Sequence, residues 1–85
     1  MKVCLIQPPY STDYLDSDEC FNQQCELLEQ CDESMDIIVM PEMADMPCLC
    51  KTKEERLLSV EKYNEAIINK ARETAKRCQS ILFVN

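Results

Sequence analysis

Three short apolar runs, Val3 to Ile6, Ile37 to Met40 and Ser80 to Val84, constrain the fold of this chain more than any other feature. None shows the apolar-polar alternation of a half-solvated strand. Each therefore reads as a strand with neighbours on both faces, the usual condition of a parallel sheet. The first is closed by Gln7-Pro8-Pro9 and the second by Pro41, residues that cannot continue a hydrogen-bonded ladder.

Two helical segments separate the runs. Tyr10 to Asp16 is polar and aperiodic, so a loop is expected there. A helix is then expected from about Ser17 to Glu33, with Asp16 and Glu19 at the spacing of a capping box. Phe21, Cys25 and Leu28, with Cys20, Leu27 and Cys31, form its apolar stripe. Asn22, Gln23, Glu26, Glu29, Gln30 and Glu33 form its solvated face. MADMPCLCKTK, Met43 to Lys53, has no period and reads as a working loop. A second helix is expected to begin at Thr52 or Lys53, with Glu54 and Glu55 in its first turn and Lys76 and Arg77 near its end, as the helix dipole favours. Val60, Ile67, Ala71, Ala75 and Cys78 would line its inner face, supported by Tyr63 and Ile68.

The predicted order is β-α-β-α-β, an α/β unit with crossovers long enough for parallel pairing. If the strands lie side by side in chain order, right-handed crossovers put both helices on one face. The other face of three apolar strands is then left bare. Such a surface calls for a cover, supplied by further chain or by another copy.

Charge and composition narrow the function classes. Met1 to Asp45 carry eleven acids and the single base Lys2, whereas Met46 to Asn85 carry eight bases and five acids, so the two halves attract. A net charge of -7 with no basic stripe argues against nucleic-acid binding. The apolar runs are too short to span a bilayer, so no membrane association is expected. Glycine and histidine are both absent. That removes glycine-rich phosphate loops, the commonest general base and the commonest zinc ligand. No cofactor or metal is expected. MKVCLIQPP lacks a long apolar core and a cleavage site, so it reads as a first strand and not a signal peptide. Seven cysteines without such a signal suggest a reducing, cytoplasmic setting.

In open parallel sheets ligands bind outside the carboxyl ends of the strands. DIIVMPE places Glu42 there, directly after Pro41. Glu42 reads either as a catalytic carboxylate or as a solvated loop residue. Gln7, at the end of the first strand, is expected to hydrogen-bond neighbouring loop backbone. A phosphorylated receiver domain is excluded: its central strand would end in aspartate, where this chain has Val39-Met40-Pro41, and an acidic pair would replace Gln7-Pro8-Pro9.

The opening VCLIQ, the strand DIIVMPE after one amphipathic helix, and a second long helix leading to ILFVN together resemble the N-terminal third of the nitrilase superfamily, the carbon-nitrogen hydrolases. Asn22 matches a position where that family often has asparagine. The resemblance implies an α-β-β-α sandwich, of which residues 1–85 would be a partial domain. It also implies cleavage of nonpeptide C-N bonds in amides, nitriles or carbamoyl compounds by a Glu-Lys-Cys triad and a covalent acyl-enzyme. Glu42 would be the triad glutamate, taking the thiol proton, a role that calls for partial burial to raise its pKa. The family's lysine and cysteine would lie beyond residue 85, so this chain alone is expected to be inactive.

Cys48 and Cys50 do not occupy the family's cysteine motif and read as loop packing or pocket lining. Cys4, Cys20, Cys25, Cys31 and Cys78 read as small buried hydrophobes. Lys51 and Lys53 read as surface charges at a helix start. The loop MADMPCLC replaces the family's usual glycine and aromatic, which leaves the substrate open. The resemblance implies a small-molecule substrate, and a homo-oligomer is expected. The alternative is a non-catalytic α/β interaction module that completes its sheet with a partner.

Overall fold

All three apolar runs form strands in the computed structural model, which describes residues 1–84; Asn85, the last residue of ILFVN, lies outside the described residues. The elements are β1 (Val3–Leu5), α1 (Ser17–Glu29), β2 (Ile37–Val39), α2 (Lys53–Cys78) and β3 (Ile81–Phe83), with a 3-10 turn at Tyr14–Asp16. The strands form one parallel sheet in the order β1-β2-β3, which gives the chain its α/β class. Ile6 donates to Val39 and Met40 donates to Phe83, so pairing reaches one residue past the regular strands. Pro41, with no N-H, follows at once. Asp36 anchors the opposite end, where its carboxylate accepts from the Lys2 amide at 2.7 Å.

The register explains the division into two faces. Cys4, Ile38 and Leu82 lie side by side and face the helices. Ile38 and Leu28 are fully excluded from solvent, with Ile67 at 1% exposure. Burial of each contributes roughly 2 kcal/mol. The neighbouring rows, Val3-Ile37-Ile81 and Leu5-Val39-Phe83, point away from the helices. Val3, Leu5, Ile81 and Phe83 are 53 to 63% exposed. Helices on one face and a bare apolar face on the other is the arrangement that the strand pattern predicts.

The helices depart from expectation in register and length. α1 stops at Glu29, four residues before the expected Glu33. Asp32 accepts from the Ser34 amide and hydroxyl in a local turn, which competes with further helix. The expected capping box is not formed. Asp16 makes no side-chain cap to α1 and instead accepts from the Ser11 hydroxyl at 2.6 Å. Part of the expected loop is the 3-10 turn, capped by Asp13 through the Leu15 amide at 3.0 Å.

α2 starts as expected, with the Thr52 hydroxyl accepting from the Glu55 amide at 3.0 Å. Its buried stripe is rotated from the one expected. Tyr63, Ile67, Ala71 and Cys78 are buried, but Ser59 and Thr74 join them, while Val60, Ile68 and Ala75 are only half-buried. Each hydroxyl is satisfied by a carbonyl, Asp45 for Ser59 and Lys70 for Thr74, both at 2.8 Å. At 26 residues α2 is about 39 Å long and overhangs the short strands. The overhang packs on α1 through Phe21 and Tyr63, whose ring centroids are 4.6 Å apart.

The expected attraction between the halves takes the form of contacts between helices. Lys62 pairs with Asp18 at 2.8 Å and Lys70 with Glu29 at 2.7 Å. These pairs, with a Tyr63 hydrogen bond in the first case, hold both carboxyls below their ordinary range. No helix is long and apolar enough to cross a membrane among the described residues.

Candidate functional site

The carboxyl ends of β1 and β2 open onto a pocket of about 430 Å³. β1 contributes Leu5, followed by Ile6, Gln7 and Pro8. β2 contributes Val39, followed by Met40, Pro41 and Glu42. Tyr10 comes from the first loop, Met43, Met46 and Pro47 from the second, and Gln24 reaches in from α1. The two loops are joined behind the pocket by a parallel bridge between Ser11 and Cys48, with the Leu49 amide donating to the Ser11 carbonyl at 3.0 Å. The expectation that Glu42 sits just beyond the carboxyl end of β2 agrees with this geometry, and the sheet order brings it beside the end of β1.

Two expected details of the site are absent. Glu42 is exposed, so these residues do not supply the partial burial that a general base at neutral pH requires. The pocket borders the bare face through Leu5 and Val39, so material covering that face would also screen its rim. Gln7 is exposed as well, and among the described residues its side chain makes no hydrogen bond to loop backbone. It stands free on the pocket wall. Asn22 is exposed on α1 and lies outside the pocket lining.

The turn carrying Glu42 is held from two sides. Gln24 is 1% exposed and donates from Nε2 to the Ala44 carbonyl at 3.0 Å. From α2, Ser59 donates to the Asp45 carbonyl and Asn64 Nδ2 to the Asp45 carboxylate at 3.0 Å. Sequence periodicity passes over Gln24 because a glutamine beside Gln23 reads as surface. The available signal was its spacing, one turn before Leu28 and four residues after Cys20, along the apolar stripe.

The cysteines behave as packing residues. All seven are free thiols. Cys20, Cys31, Cys48 and Cys78 are buried, and Cys4, Cys25 and Cys50 are half-buried. Burial, reinforced by Cys48 for Cys20 and by Cys4 for Cys31, pushes both thiols up to about 11. Burial also raises Cys25 and Cys50. Cys50 Sγ donates to the Cys48 carbonyl at 3.6 Å, and neither residue lines the Glu42 pocket, so the pocket-lining reading is not met while the packing reading is. Lys51 and Lys53 are exposed at the start of α2. No group of three or more Cys, Asp or Glu side chains among the described residues is arranged to hold a metal ion.

Comparison with protein-family models, curated proteins and solved structures finds no match to this chain.

Proposed function

We propose that this chain is the N-terminal part of a carbon-nitrogen hydrolase of the nitrilase type, with Glu42 as its catalytic carboxylate. The observation that carries the reading is the meeting of Glu42 and Gln7 on one pocket at the carboxyl end of a parallel sheet. Support also comes from the bare face that carries Val3, Leu5, Ile81 and Phe83, the surface that a second sheet of an α-β-β-α sandwich would cover. In the complete site Glu42 takes the proton of a thiol supplied by later sequence. The thiolate attacks an amide, nitrile or carbamoyl carbon, and a lysine with backbone donors stabilises the developing charge. Met40, Met43 and Met46 give the pocket a polarizable, adaptable wall suited to a small apolar group. The chemistry needs no cofactor, and the free thiols suit a reducing cytoplasm.

The bare face also favours a second reading, a non-catalytic module that completes its sheet with a partner or in a homo-oligomer. One experiment separates the two. The reading frame past codon 85 is expressed with this chain, and amide and nitrile hydrolysis is assayed beside E42Q. Hydrolysis that E42Q abolishes supports the hydrolase. A frame without a downstream lysine and strand-end cysteine, or hydrolysis that ignores E42Q, removes it.

A further inference from the structure

We propose that Gln24 is a positioning residue for Glu42, acting through the turn that follows it; this rests on reading Glu42 as the working carboxylate. Gln24 lies in the middle of α1, where an apolar residue would fill the same space. Instead a buried amide crosses to the Ala44 carbonyl, 20 residues away in sequence. Ala44 is 3% exposed, so without Gln24 its carbonyl would be buried with no partner from α1.

The turn needs such support. Met43, next to Glu42, has φ 56°, in the left-handed region that a side chain with a Cβ avoids. The Met46 amide closes the turn onto the Met43 carbonyl at 2.8 Å. A methionine keeps this conformation only where its surroundings over-determine it. Here α1 holds the carbonyl of residue 44 and α2, through Ser59, holds that of residue 45. The two helices thereby fix the direction in which Glu42 leaves β2. Gln24 borders the same pocket, so the residue that sets the turn also forms part of the site wall.

The test uses the 85-residue chain and nuclear magnetic resonance. In Q24M, which keeps volume and removes the donor, the Met43 shifts should leave their left-handed values and the Met46 amide should exchange at least about tenfold faster. The amides of Leu28 and Ile38 should hold their wild-type protection. In Q24E the carboxylate cannot donate at neutral pH, whereas the protonated acid can. Lowering the pH should therefore restore the wild-type signature of Met43 in Q24E, with wild type at the same pH as control. A residue that only fills space would show no such recovery. Unchanged Met43 and Met46 signals in Q24M, or no acid recovery in a folded Q24E, overturns the proposal. Loss of fold in both variants overturns it too, because Gln24 would then serve the whole core and not the turn. None of these readouts measures hydrolysis, so hydrolysis that ignores E42Q would remove the hydrolase reading without touching the Gln24–Ala44 turn contact, and the two failures stay distinguishable.

Discussion

The guanidinium of Arg77, on the last turn of α2, donates to the carbonyl of Cys31 at 2.7 Å and to that of Leu28 at 3.0 Å. The Leu28 carbonyl lies in the last turn of α1, where it also accepts from the Cys31 amide at 3.1 Å, and Cys31 stands just past the helix end. Placement near the end of α2 suited Arg77 to its own helix dipole, but the structure uses it to close the neighbouring helix. Its planar fork reaches two acceptors at once, which a lysine ammonium does not reproduce. R77A should destabilise the chain by about 2 kcal/mol in urea unfolding, and R77K should recover less than half of that.

Gln79 ends α2 in the left-handed conformation, with φ 53°. A chain without glycine has to place another residue there. Since Gln79 is exposed, Q79G removes the Cβ clash without loss of packing. Thermal and urea unfolding should show stabilisation of roughly 0.5 to 1 kcal/mol.

The bare face predicts concentration-dependent association. Leu5 and Phe83 are 60% and 53% exposed, so charging them removes little from the core of the single chain. L5K/F83K should sediment as monomer at concentrations where the wild type associates, and should bind less of an apolar dye. Its stability at low concentration should change by less than about 0.5 kcal/mol per site. A wild-type chain that stays monomeric and dye-free at high concentration would remove the case for an unsatisfied face.

The pH profile of stability should fall on both sides. Asp18 and Glu29 have lowered pKa values in the folded chain, held there by Lys62 and Lys70. Their contribution is present above the unfolded carboxyl range, about pH 4, and is lost as the pH falls through the folded values. K62A and K70A should flatten this acid limb. Cys20 and Cys31 titrate near 11 when folded, above their ordinary value of 9.0. Their contribution is complete below the unfolded thiol range and is lost as the pH rises toward 11. Urea midpoints measured from pH 3 to 11 check both limbs. The same two thiols should resist a thiol reagent at pH 7.5 until the chain unfolds.

The sequence by itself determined the strands, their parallel pairing and the emergence of Glu42 at the rim; the side-by-side order β1-β2-β3 came from the structure. Those features depend on local rules: unbroken apolar runs seek burial, prolines end ladders, and crossovers of this length favour parallel neighbours. It tied a bare face to that order, because two right-handed crossovers between strands in chain order cover one side. The capping box at Asp16, the rotation of the α2 stripe and the roles of Gln24, Ser59 and Arg77 were decided only by tertiary structure. In each case a polar side chain took a partner that periodicity does not show: Asp16 a hydroxyl five residues back, the others a carbonyl at least 14 residues away. Asp16 took Ser11, Ser59 took the Asp45 carbonyl, Gln24 took Ala44, and Arg77 took the end of α1. Periodicity measures apolar burial, so it cannot register a buried polar group whose partner lies many residues away and comes into reach only when the helices have packed.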